Sequence, residues 1–136
     1  MEIKKKKTKS EIFAQQQQEL VMMIKNQKLV PSVNDFPKKG VSFKDVSPLF
    51  LNFIVMEKVI ELLVSFIKNN DIKVDAVASP EARGFVFGSL VAYKLKTAFI
   101  MVRKKGKLPQ ATYADCFDTE YSKKTRNNKL CCKRAY

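Results

Sequence analysis

The sequence has no apolar run that approaches membrane-spanning length; the longest, residues 49–55, is interrupted by Asn52. Its basic first residues are not followed by an apolar signal core with a small-residue cleavage site, so a soluble cytoplasmic protein with no membrane association is expected. Cysteine is scarce. Cys116, Cys131 and Cys132 are odd in number and lack metal-ligand spacing, which argues against both a zinc site and a stable disulfide frame. Acids are few: 13 Asp and Glu stand against 26 Lys and Arg, for a net charge of +13. Such an excess invites a nucleic-acid reading, but the middle of the chain has no aromatic platform interleaved with basic residues.

The charge is concentrated at the ends. Residues 1–10 carry five lysines against Glu2, and residues 122–136 carry six Lys or Arg and no acid, which leaves only +3 for residues 11–121. Both ends read as basic arms, with nonspecific contact to polyanions as the consequence. A length of 136 residues, 46% of them hydrophobic, suffices for one domain with a modest core. The expected organisation is therefore a basic arm over 1–10, a domain over 11–121 and a second basic tail over 122–136.

Within the domain, a helix is predicted over residues 11–27, capped by Ser10 before Glu11. An extended, turn-rich stretch follows over 29–37, then a turn at 37–40 and a short extended segment over 41–46. Ser47-Pro48 reads as an N-cap with proline at the first helical position. Residues 56–70 form the clearest helix, with Val59, Leu62, Leu63, Phe66 and Ile67 on one stripe that is expected to pack on a sheet. Asn69-Asn70-Asp71 ends it. Residues 111–117 suggest a mobile loop returning as a strand, and no periodic pattern is visible from Ser122 onward.

The organising stretch is residues 75–109. A short apolar run at 76–78 leads through the polar corner Ser79-Pro80-Glu81-Ala82-Arg83 into a helical pattern at 84–95. A second β-rich run at 98–102 then empties into Arg103-Lys104-Lys105-Gly106-Lys107. A strand, a crossover helix and a second strand make a parallel pair, and both loops leave at its C-terminal edge. Open α/β sheets bind ligands at that edge. The N–H groups and positive dipole end of a helix opening at Gly84 suit an anion. A solvated charge run is the bland explanation of the second loop alone. Two cationic elements converging at one edge favour a site for a highly phosphorylated small molecule.

Four segments, in this order and spacing, carry a family likeness: DFPKKGVSFKDVSPLF at 35–50, EARGFVFG at 81–88, VRKKGKLP at 102–109 and TEYSK at 119–123. With them the chain, from about residue 36 to 121, resembles the adenine phosphoribosyltransferases, type I phosphoribosyltransferases that join adenine to the ribosyl 5-phosphate of phosphoribosyl pyrophosphate (PRPP) with Mg²⁺ as helper. The fold it implies is α/β, an incomplete type I phosphoribosyltransferase-like parallel sheet flanked by helices.

The resemblance makes Phe43 the ring that stacks on adenine, with the Ser42 backbone and the Lys44 side chain beside it. Arginine usually stands where this chain has Lys44, and an ammonium does not reproduce that fork of donors. Glu81, Ala82, Arg83 and Gly84 fall on the pyrophosphate loop, where the family shows a non-proline cis peptide. Arg103, Lys104, Lys105 and Lys107 match the cationic loop that neutralises pyrophosphate, in part across a homodimer interface. Glu120 matches the carboxylate that does general acid/base work at the purine, and Tyr121 is its neighbour.

The family continues with an apolar strand, two acids and a Thr- and Gly-rich loop for the 5′-phosphate, to which nothing in residues 122–136 corresponds. Weak or no transferase activity is therefore expected of this chain by itself, with an exposed apolar edge beside the strand at 98–102. Two other functions compete: a noncatalytic homologue or partial subunit that pairs with a full-length partner, and a basic polyanion-binding protein.

Overall fold

The computed structural model describes residues 7–104, 106–109, 112–116 and 129–133. They fall into two compact units, one from Met1–Asn34 and Ser42–Lys73, the other from Asp35–Val41 and Val74–Tyr136.

The first unit is mainly helical. Helix α1, Lys9–Asn26, begins at Thr8, not at Ser10. Thr8 accepts from the Glu11 N–H at 3.3 Å, and Glu11 accepts from the Thr8 N–H at 2.8 Å. That reciprocal pair satisfies two orphan donors, whereas the residue three after Ser10 is Phe13, which has no carboxylate to return the bond. Strands β1, Ser32–Asn34, and β2, Ser42–Lys44, pair antiparallel with Val33 opposite Phe43.

Helix α2, Ser47–Phe50, is a single turn capped by Val46 instead of Ser47. Asp45 explains the shift, because its Oδ1 accepts from both the N–H and the hydroxyl of Ser47, at 2.9 and 2.6 Å. Helix α3, Phe53–Asn69, starts three residues before the predicted point because the Asn52 side chain accepts from Val55 N–H at 3.1 Å. Asn52 also donates to Gln27 Oε1, at the end of α1, at 2.8 Å.

Within this unit α3 packs on α1 and α2, so the expected packing on a sheet gives way to helix on helix. The buried face moves accordingly, to Val55, Met56, Ile60 and Val64, while Leu63 and Phe66 are 43% and 50% exposed. Phe66 lies at the margin of the contact, its ring centroid 6.2 Å from that of Phe13. Asp71, with φ of 50°, ends the segment in the left-handed region as the Asn-Asn-Asp run predicted.

The second unit contains the strand-helix-strand element. Strand β3, Ala76–Pro80, is followed by helix α4, Arg83–Leu95, and strand β4, Ala98–Lys104. The strands are parallel, in a register running from Ala76 opposite Ala98 to Pro80 opposite Val102. Lys96, at φ of 57°, turns the chain out of α4 into β4. Strands β5, Thr112–Cys116, and β6, Lys129–Lys133, complete a sheet in the order β3-β4-β6-β5.

Strand β6 corrects the expectation of a patternless tail. It is antiparallel to both β4 and β5 and covers the β4 edge from Val102 to Lys104, part of the edge expected to be exposed. The run Lys-Leu-Cys-Cys-Lys has no alternation of apolar and polar residues, so its strand state comes from backbone pairing on both sides, which periodicity does not report. Among the described residues no helix is long and apolar enough to cross a membrane.

Two glycines set how closely α4 approaches β3. A Cβ at Gly88 would lie 2.4 Å from Ser79 Oγ and 2.8 Å from the Phe99 ring, and one at Gly84 would lie 3.1 Å from Pro80 Cδ. The Ser79 hydroxyl uses this proximity to donate to the Gly84 carbonyl at 2.8 Å. Phe85 and Phe99 meet edge to face beside it, with centroids 6.0 Å apart. Gly88→Ala is expected to destabilise the protein by about 1–3 kcal/mol through overpacking, read from urea unfolding. Ser79→Ala in the same background should recover part of the loss; an unchanged midpoint in Gly88→Ala contradicts the close approach.

Candidate functional site

Because β3 and β4 are parallel, the β3–α4 corner and the loop after β4 leave the sheet at the same edge. The corner carries Glu81, Ala82 and Arg83, and the Glu81–Ala82 peptide bond is cis. Arg83, exposed, is the first residue of α4, whose N-cap, Ala82, makes no side-chain capping hydrogen bond, so the positive end of the helix dipole faces this corner.

Glu81 ties the corner to β4. Its N–H donates to the Val102 carbonyl at 2.9 Å. Its carboxylate accepts from Arg103 Nε and from the Lys104 N–H, each at 2.9 Å. The Lys104 N–H, then the Arg103 guanidinium, hold the Glu81 carboxyl below the usual carboxylate range. Arg103 Nη1 donates to the Lys107 carbonyl at 3.3 Å, and the Lys107 N–H returns to the Lys104 carbonyl at 3.1 Å. Gly106, at φ of 82°, supplies the left-handed step this tight loop requires.

Ser42, Phe43 and Lys44 form β2, in the other unit. Phe43 is half-buried opposite Val33, and the Lys44 ammonium donates to the Ser32 hydroxyl of the neighbouring strand. Lys105, Glu120 and Tyr121 lie outside the described residues. Glu81, Arg103, Lys104 and Lys107 are thus joined in one network, with Ala82 and Arg83 following directly, while the three residues of β2 belong to a separate unit.

Two residues were not singled out in the sequence. Ser79 anchors α4, and the signal for it was the pair of glycines four apart on one helix face. Ser32 partners Lys44, and only the strand register, with Ser32 opposite Lys44, brings it there.

No family model matches the chain. Curated relatives do: the adenine phosphoribosyltransferase of Malacoplasma penetrans is 44% identical over 96 residues, 71% of this chain and 55% of that protein. That of Mycoplasmoides gallisepticum is 42% identical over 105 residues, 77% of this chain and 57% of that protein. The chain is a relative of the adenine phosphoribosyltransferases.

It spans just over half the length of these curated relatives. Among solved structures, the adenine phosphoribosyltransferase from Thermoanaerobacter pseudethanolicus matches with a TM-score of 0.67 at 37% identity, over 77% of this chain and 58% of that one. The Giardia lamblia enzyme, solved with 9-deazaadenine, matches with a TM-score of 0.71 at 32% identity, over 79% of this chain and 56% of that one. The fold is that of the type I phosphoribosyltransferase-like adenine phosphoribosyltransferases, an α/β architecture whose β3–β4 pair is parallel.

The lowered pKa of Glu81 sets a pH dependence. A carboxylate whose pKa is depressed in the fold contributes stability that is complete above its unfolded value, declines as pH falls towards the folded value, and is gone below it. The difference in thermal midpoint between the native chain and Glu81→Gln is therefore expected to be full near neutrality and to close on acidification below pH ~4. A difference that stays constant across that range would show that the charge of Glu81 does not make the tie.

Proposed function

We propose that the chain serves purine salvage in the cytoplasm as an adenine phosphoribosyltransferase, with Ser42, Phe43 and Lys44 on the adenine side and Ala82, Arg83, Arg103, Lys104, Lys105 and Lys107 on the diphosphate side. The observation that carries this is the joining of the two edge loops through Glu81, beside an α4 N-terminus that no side chain caps. Relatives of that name over 71% and 77% of the chain support it.

The reaction would convert adenine and PRPP to AMP and pyrophosphate. Attack of purine N9 on the anomeric carbon builds positive charge on the ribose and negative charge on the departing diphosphate, so cations belong beside the latter. Arg83 and Arg103 supply such cations, with α4 N–H groups as further donors. The proton lost from adenine needs a carboxylate, and Glu120, with Tyr121 beside it, is our candidate.

Mg²⁺ enters as part of the substrate, on the PRPP oxygens. Among the described residues no group of three or more His, Cys, Asp or Glu is placed to hold a metal, and both Glu81 oxygens are already engaged. A homodimer, and nonspecific polyanion contact through the basic ends, belong to the same proposal.

A second reading, a homologue that binds diphosphate without turnover, is favoured by β6, which adds antiparallel pairing at the loop end of β4. Titration with Mg²⁺ and inorganic pyrophosphate should raise the thermal midpoint by mass action. Arg103→Ala should weaken binding by roughly tenfold or more, the worth of one charge-assisted contact. AMP formation from adenine and Mg²⁺–PRPP then separates enzyme from binder. Absence of any pyrophosphate effect contradicts both.

A further inference from the structure

Glu81 is an odd neighbour for a diphosphate. An exposed carboxylate there would repel the ligand, yet this one has no acceptor to spare: Oε2 takes Arg103 Nε–H and Oε1 takes the Lys104 N–H. The residue is fastened to three consecutive positions of β4, because its own N–H donates to the Val102 carbonyl.

Arg103 is consequently gripped from two sides. Nε faces Glu81 and Nη1 faces the Lys107 carbonyl. Among the described residues Nη2 donates to no protein acceptor. The Arg103 side chain remains 35% exposed, against 15% for Glu81, so the cation keeps access to solvent while the acid beneath it is largely covered. Among the described residues the charged groups facing the carboxylate are Arg103 and Lys104 of β4, both cations, and Arg83 begins α4 two residues further on.

We propose that Glu81 is a positioning residue for the anion site: it holds the Arg103 guanidinium and the Lys104 backbone in the ligand-ready arrangement and does not itself touch the ligand. This rests on the diphosphate reading above. Its physical advantage is preorganisation, since an arginine already confined to one rotamer loses little further side-chain entropy when an anion arrives. The carboxylate also spends its charge on β4 donors instead of on repulsion.

The chain, Glu81→Gln and Glu81→Asp should be compared by calorimetry with Mg²⁺ and inorganic pyrophosphate, alongside the Arg103 Nε–H resonance in the ligand-free proteins. Glutamine accepts through only one oxygen, so Glu81→Gln is expected to weaken pyrophosphate binding about tenfold and to move the Arg103 resonance. Aspartate keeps the charge and should recover part of both. Equal or tighter binding by Glu81→Gln, with binding by the native chain intact, overturns the positioning role and leaves the diphosphate reading standing. No binding by the native chain overturns that reading and the role built on it. An unmoved Arg103 resonance overturns the positioning role whatever the ligand does, and amide dispersion in the same spectra identifies a variant that has not folded.

Discussion

One carboxylate joins two loops that are more than twenty residues apart in sequence. The parallel pairing of β3 and β4 brings both loops to one edge, but proximity alone would leave a lysine- and arginine-rich bend to repel itself into solvent. Glu81 supplies the opposing charge and two well-directed acceptors, and the loop after β4 then closes on itself through Arg103, Lys104 and Lys107. The arrangement is held by hydrogen bonds at a partly exposed place, so its value lies in geometry more than in stability.

That geometry depends on what lies behind it. The corner can turn where it does because α4 comes close to β3, and α4 comes close because Gly84 and Gly88 present no side chain to Ser79, Pro80 and Phe99. The apolar backing of Val91 and Ala92 is buried in the same unit. Packing thus fixes the direction in which the α4 N-terminus opens, and the positive end of the helix dipole follows that direction.

Much of this was legible in the sequence. The strand, corner, helix, strand and basic loop over residues 75–109 are local features, each marked by its own residues, and their parallel pairing follows from the crossover. The candidate site residues at the corner were legible for the same reason, although their roles came from family resemblance. Features set by nonlocal contacts were less visible. The buried face of α3 depends on α1 and α2 as partners, and β6 on strands flanking it on both sides; the start of α1 at Thr8, by contrast, is a local signal, Thr8 and Glu11 three apart, that the choice of Ser10 passed over. Glu81 itself was placed on the anion loop, but which groups consume its oxygens is a property of the folded edge alone.

The central claim is that Arg83 and Arg103 act on a single bound diphosphate. A double-mutant cycle on pyrophosphate affinity, with Arg83→Ala, Arg103→Ala and the double variant, tests it most directly. Cations that share one ligand are predicted to be coupled, with a combined loss that departs from the sum of the single losses by more than about 0.5 kcal/mol. Additive losses, or variants that bind pyrophosphate as well as the native chain, would contradict the account.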